Sequence, residues 1–317
     1  MDSEETTIQL WGDKRYQSLN YFLRQKFGHK VFKVSLDAGF SCPNRDGTLS
    51  TTGCLFCSAR GSGDFAGRRG SSLEEQFHEV KAFMHKKWPR AGYIAYFQAF
   101  TNTYAPPARL RKLYCQASNW EGVVGLAIAT RPDCLSEEVL DVLQEVGEKR
   151  YLWVELGLQS IHRKSAERFN LGYSFDNFLD ALTRLKARGI ESCVHLILGL
   201  PGEGRDDMMA SALKAAGLPL NGLKLHLLHV MQGTPLGHIY QQKPFDTLSR
   251  DEYIELVVDI LEILPKNMVI HRLTGDSPRQ TLLEPQWSLN KWEVLNQIDR
   301  RLAERNTWQG KFWTSLK

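Results

Sequence analysis

Six short apolar runs, each closed by a polar or glycine-containing turn and separated by stretches of helical periodicity, constrain this chain more than any other feature. A parallel sheet built from βα units reads this way, because each crossover helix covers one face of the sheet. The predicted strands span residues 31–36, 93–97, 124–130, 151–159, 194–199 and 222–229, and the predicted helices 72–87, 108–118, 136–146, 174–188 and 205–216. Ser72 with Glu75, and Ser174 with Asn177, stand where a helix start wants a side-chain oxygen, and Gly189 follows its helix as a C-terminal glycine should. A further amphipathic helix is expected over 248–264, followed by a less regular stretch rich in Trp, Arg and Asn. The expected organisation is an α/β barrel with its N-terminal segment over 1–245, and a helical or irregular extension over 246–317 packed against it.

The fourth strand says most about what such a barrel encloses. Leu152, Val154, Leu156 and Leu158 share one parity; Trp153, Glu155, Gly157 and Gln159 share the other. Buried parallel strands usually read as continuous apolar runs, so a carboxylate in mid-strand suggests a lumen that binds a ligand. The alternative is an internal salt bridge at Glu155. His195 on the fifth strand, and Lys224 and His226 on the sixth, extend the polar parity and make the lumen polar, although single histidines on strands are often structural.

Cys42, Cys54 and Cys57 follow the first strand with the spacing C-x11-C-x2-C, in the run CPNRDGTLSTTGCLFC. Three neighbouring thiolates want a metal. A cubane of four irons held by three cysteines keeps one iron open for a chelating ligand such as S-adenosylmethionine (SAM). The competing reading is a structural zinc site completed by His29 or His78, although a zinc ribbon would carry a second C-x2-C pair. Cys115, Cys134 and Cys193 stand alone and read as buried or incidental thiols.

A cysteine loop after the first strand of a partial barrel resembles the radical SAM superfamily. The long first gap departs from its common C-x3-C-x2-C loop. It is similar to the branch containing the Elongator catalytic subunit, and more closely to the bacterial radical SAM proteins of the YhcC and YtqA type. The signatures are GFSCPNRDG, GCLFC, AYFQAFTNTYA, TRPDCL, ELGLQS, HLILGLPGE and LKLHLLHV, covering about Gly28 to Trp292. The resemblance implies a partial (β/α)6 radical SAM barrel, a [4Fe-4S] cluster on Cys42, Cys54 and Cys57, and SAM as second cofactor. It also implies that an electron delivered to the cluster cleaves SAM to a 5′-deoxyadenosyl radical that abstracts hydrogen from substrate. Phe56 matches the aromatic near the adenine. Tyr96, Gln98 and Thr101 stand where relatives often carry a glycine-rich motif that contacts the methionine amino group. Glu155 and Gln159 match SAM-contacting polar positions, Leu198, Gly199, Leu200 and Pro201 match the point where the fifth strand meets the adenine, and Arg168 is the candidate for the SAM carboxylate. Relatives often have RGH where this chain has Leu171, Gly172 and Tyr173.

The same resemblance implies tRNA as substrate, with conversion of a carboxymethylaminomethyl group on the wobble uridine toward aminomethyl, and an electron donor of flavodoxin or ferredoxin type. Radical chemistry on a small cofactor precursor is the alternative. With no acetyltransferase unit beside the barrel, a full Elongator-like reaction is not expected. Forty basic residues against 36 acidic ones give a formal charge of only +4, so any nucleic-acid surface has to be a local patch. Candidates are Lys14, Arg15, Arg24, Lys26 and Lys30; Arg60, Arg68 and Arg69 around a glycine-rich loop; and Arg272, Arg279, Trp287, Trp292, Lys311 and Trp313. The polar, acidic stretch 1–7 does not read as a signal peptide, and no run approaches the roughly 18 apolar residues of a membrane span, so a cytoplasmic protein is expected.

Overall fold

The computed structural model describes residues 8–314; the acidic stretch 1–7 lies outside them. After α1 (Leu19–Phe27), strands and helices alternate: β1 (Val31–Leu36), α2 (Leu73–Lys87), β2 (Gly92–Phe97), α3 (Pro107–Ser118), β3 (Val123–Thr130), α4 (Glu137–Lys149) and β4 (Tyr151–Gln159). Then come α5 (Arg163–Arg168), α6 (Phe175–Ala187), β5 (Glu191–Leu198), α7 (Arg205–Ala216), β6 (Gly222–Leu227), β7 (Val230–Met231) and α8 (Pro235–Gln242). The chain continues through α9 (Arg250–Ile263), β8 (Val269–Arg272), β9 (Leu282–Glu284) and α10 (Lys291–Glu304).

Six sheet strands are expected from periodicity; the sheet has seven, in the order β1-β2-β3-β4-β5-β6-β8, all parallel. The seventh comes from within the stretch expected to be extension, and its four residues are too few to show a period. The sixth strand stops at Leu227, two residues before its expected end, and β7 pairs instead with β9. Helix starts follow their caps: Ser72 with Glu75, and Ser174 with Asn177, form reciprocal capping boxes. Gly189 takes φ +67°, the left-handed conformation that closes α6.

The two parities of β4 lie in different cores. Leu152, Val154, Leu156 and Leu158 join the large core between sheet and helices, where α4 contributes Val139, Leu140, Val142, Leu143 and Val146. Trp153 faces inward, in a smaller core with Leu23, Val31, Ile94, Tyr96, Ala127 and Cys193. Helix α1 packs on both β1 and β8 and so plugs the N-terminal end of the open barrel. At the β8 edge the Ile270 N–H donates to the Gln17 carbonyl at 2.8 Å, so that edge is partly covered.

Buried Gln76 on α2 holds the loop that follows β1. Its Oε1 accepts from the Asp37 N–H at 2.9 Å, and its Nε2 faces the carbonyls of Asp37, Arg68 and Ser71 at 3.0, 3.3 and 3.1 Å. A side chain on Gly67 would collide with it, a Cβ there lying 2.1 Å from Oε1. Replacing Gln76 by Leu strands these buried backbone groups, so Gln76→Leu is expected to cost about 1–3 kcal/mol in urea unfolding. It is also expected to expose residues 60–70 to limited proteolysis; wild-type stability and cleavage would show that Gln76 is not the clamp.

Candidate active site

Ligands of open parallel sheets bind outside the carboxyl ends of the strands. The cysteine loop sits there, above a cavity of ≈ 340 Å³ that runs down into the lumen. Cys42, Cys54 and Cys57 all line it and form no disulfide. The loop is anchored on three sides. Asn170, itself left-handed at φ +53°, donates to the Gly53 carbonyl at 2.9 Å, and its own carbonyl accepts from Asn44 Nδ2 at 2.6 Å. The Leu55 N–H donates to the Phe169 carbonyl at 3.1 Å, and the Thr101 N–H to the Ser41 carbonyl at 3.2 Å. Arg45 donates to the Cys57 carbonyl at 2.7 Å.

The thiols are poised for a cation. Burial pushes the Cys54 thiol up to about 12, Cys57 and Cys42 add to the rise, and Arg131 opposes it. Cys57 is raised too, by burial, against the pull of Arg45. Such groups ionise at neutral pH only when a metal takes the proton's place. Asn44 Nδ2 stands 3.6 Å from the Cys54 sulfur while its buried Oδ1 has no partner among the described residues. Neither histidine suggested for a zinc site joins the cysteines: His29 lies by Gly92 at the start of β2, at the other end of the barrel, and His78 faces Glu74 on α2. Among the described residues no three His, Cys, Asp or Glu side chains are grouped to hold a single ion. A cubane makes a different demand, since each cysteine meets its own iron.

Of the other expected site residues, Phe56, Tyr96, Gln98, Thr101, Glu155 and Gln159 line the cavity. Gln98 Nε2 donates to the Ser62 carbonyl at 2.8 Å and ties the glycine-rich loop to the end of β2. Gln159 is left-handed at φ +68°, and Gly157 beneath it has no Cβ because one would stand 2.6 Å from Gln159 Nε2. Leu198 points into the outer core, Gly199 packs by Leu248, and Arg168 is exposed beside Gly202; these three are outside the cavity lining.

Glu155 carries the internal ion pairs that were the alternative expectation for it. It is buried and accepts from Tyr96 Oη at 2.6 Å and Trp153 Nε1 at 3.0 Å, with His195 Nε2 at 3.0 Å and Lys33 Nζ at 3.6 Å. Lys224 is bonded to the same carboxylate and also donates to Tyr96 Oη at 3.1 Å. Burial raises the Glu155 carboxyl, but Lys224, Lys33 and His195 outweigh it and hold it well below the usual range. Burial brings Lys33 down to about 7 against the pull of Glu155. The imidazoles are held neutral: burial, helped by Lys224, takes His195 to about 4, burial takes His229 to about 4 against Asp276, and His226 and His271 are also well lowered by burial.

Sequence reasoning gave no cavity role to Arg131, Tyr173 or Lys33 and set Arg272 in a nucleic-acid patch, whereas Arg272 lines the cavity. Arg131 lines the cavity, donates to the Leu171 carbonyl at 2.8 Å, pairs with Asp133 at 2.8 Å, and lies 4.8 Å from the Tyr173 ring centroid. The TRPD run, with Arg and Asp two apart just past a strand end, was the available signal. The candidate nucleic-acid residues are dispersed. Arg24, Lys26 and Lys30 belong to the plugged end, where Lys26 lies over Tyr151; Lys14 pairs with Asp299, and Trp287 donates to the Leu248 carbonyl. Arg60, Arg68 and Arg69 stay with the loop at the cavity, and Trp292 is exposed on α10.

The Radical SAM superfamily model matches residues 45–215, and the Radical_SAM C-terminal domain model residues 220–304. This chain belongs to the radical SAM superfamily. It is 51% identical to the uncharacterized protein YtqA of Bacillus subtilis (strain 168), over 96% of this chain and 95% of that one. It is 27% identical to a tRNA uridine(34) acetyltransferase of Methanocaldococcus infernus, over 54% of this chain and 32% of that protein. Among solved structures, archaeal Methanocaldococcus infernus Elp3 with an N-terminal deletion superposes with a TM-score of 0.66 at 17% identity, covering 88% of this chain and 64% of that one; at that identity the match speaks for the fold. The cofactors of this radical SAM enzyme are a [4Fe-4S] cluster and SAM, and the three half-buried thiols that line the cavity present a donor set that fits the former.

The neutral imidazoles of the radical SAM lumen set a pH dependence. An unfolded chain binds their protons near pH 6.5 and the folded one does not, so this stability is complete above about 6.5 and is lost as pH falls toward 4. Urea midpoints should therefore fall over that interval, and less steeply for His229→Gln than for wild type. Parallel curves for the two proteins would mean that His229 is not held neutral.

Proposed function

We propose that this radical SAM enzyme acts in the cytoplasm on tRNA, converting a carboxymethylaminomethyl group on the wobble uridine toward aminomethyl. The observation that carries this reading is the likeness to a tRNA uridine(34) acetyltransferase over 54% of this chain. The cavity mouth supports it: Phe65, 57% exposed, stands on the glycine-rich loop that carries Arg60 and lines the cavity together with Phe56, and flat aromatic faces near cations suit an unstacked base. No helix among the described residues is long and apolar enough to cross a membrane.

In this reading Cys42, Cys54 and Cys57 hold the cluster, and Phe56, Gln98, Thr101 and Gln159 contact SAM. When bound and reduced by a donor of flavodoxin or ferredoxin type, the cofactors supply reductive cleavage of SAM to methionine and a 5′-deoxyadenosyl radical that takes hydrogen from substrate. The chain's own work is positioning and exclusion of water. Asn170 fixes the cysteine loop, Arg131 braces the neighbouring turn at Leu171, Gln98 fixes the glycine-rich loop over the cavity, and Phe56 and Phe100 line it with apolar surface.

Reconstitution with iron and sulfide without oxygen, followed by assay of 5′-deoxyadenosine, tests both levels. Wild type should form it and Cys57→Ala should fall at least 100-fold, with bound iron lost. Bulk tRNA from a strain lacking the gene should raise the yield and gain aminomethyluridine on nucleoside mass spectrometry. Turnover indifferent to that tRNA, with unchanged nucleosides, would remove tRNA as substrate and favour a small molecule.

A further inference from the structure

We infer that the β6 and β8 wall of the lumen is a receiving site for a carboxylate on the substrate, with Arg272, His226, His229 and one free N–H of Lys224 as its donors. The choice of substrate rests on the function proposed above; the site itself rests on charge, unpartnered atoms and the cavity they line.

Strand register brings the cations together. Lys224 pairs with His195 on one side and Arg272 on the other, and Lys33 reaches the same level from β1. Lys224 and Lys33, the latter brought down to about 7, thus share one buried carboxylate, Glu155, and Arg272 stands half-buried at the level of Lys224. Asp276 offsets Arg272 only partly, because it pairs with Arg272 at 3.2 Å and with Lys291 at 2.8 Å. Positive charge that outnumbers its partners in a partly closed cavity favours an anion there.

Donors for that anion are in place. Nε2 of His226 and Nε2 of His229 are sealed from solvent and have no partner among the described residues. Lys224 spends two of its three N–H bonds, on Glu155 and Tyr96. The cavity of ≈ 340 Å³ gives the room, and Gly275 packs on its histidine wall, where a Cβ would stand 2.9 Å from the His229 ring and 3.9 Å from His226 Nδ1. All four donor residues and Gly275 line the cavity. Lys224 and His226 lie on β6, Arg272 ends β8, and His229 follows the end of β6, so a carboxylate on a short arm that enters the cavity reaches them. The carboxylate of SAM belongs with the cysteines at the other end of the cavity.

The test uses reconstituted, SAM-bound enzyme, so that SAM's own carboxylate is already placed. Wild type should bind the nucleoside 5-carboxymethylaminomethyluridine at least ten-fold more tightly than its methyl ester, and Arg272→Met should erase that preference. Gly275→Ala, which keeps every charge and displaces the His229 ring it collides with, should weaken it too. Equal affinity for acid and ester in wild type, or a preference that survives both substitutions, overturns the site. If wild type binds neither nucleoside, the tRNA reading falls and acetate decides the site alone. A saturable shift of the His226 and His229 ring nitrogens by NMR, present in wild type and absent in Arg272→Met, retains the carboxylate site; no shift in wild type overturns it.

Discussion

A single buried carboxylate organises the interior of this enzyme. Glu155 sits in mid-strand with no access to water, where an unpaired charge would be untenable. Its partners arrive from four other strands: Lys33 from β1, Tyr96 from β2, His195 from β5 and Lys224 from β6. Small residues on β3, Ala127 and Ala129, let Tyr96 reach across to it. The polar stripe that makes the lumen a binding chamber therefore also ties the curled sheet together from the inside, while the leucines of the opposite parity tie it to the helices from the outside.

Much of this was legible because strand parity and cysteine spacing are local signals. Alternation along Tyr151–Gln159 marks Glu155 as inward whatever its partners are, and three cysteines just past a strand end mark a metal loop at the carboxyl side of a sheet. What was not legible depends on contacts between distant residues. Val269–Arg272 is a strand because β6 offers it an edge, and Arg272 enters the lumen only through that pairing. The basic residues near the N-terminus look like a patch in one dimension, yet α1 turns them to the end of the barrel away from the cysteines. Arg168 and Leu198 follow motif positions, but the side chains of Leu198 and Ile197 face opposite sides of β5, and it is Ile197 that meets the cavity.

The cysteine loop shows how a segment without regular structure is held to a fixed shape. Its supports come from the turns after α5 and β2 and from Gln76 on α2, so the ligand positions are set by parts of the chain more than a hundred residues apart in sequence. Asn170 in a left-handed turn binds the loop through the Gly53 carbonyl, and Arg131 braced by Asp133 holds that turn through the Leu171 carbonyl, so the supports engage backbone and leave the sulfur atoms to meet the metal.

Helix α1 closes the barrel at the strand starts, with Leu23 and Trp153 packed beneath the lumen. The chamber is a blind one, with traffic only through the mouth by the cysteines and the glycine-rich loop. If SAM and substrate sit as proposed, the guest nearer the closed strand-start end has the other between it and the opening. Order of arrival and departure would then be a property of the architecture: the deeper guest enters before the mouth is filled, and what lies nearer the opening leaves first.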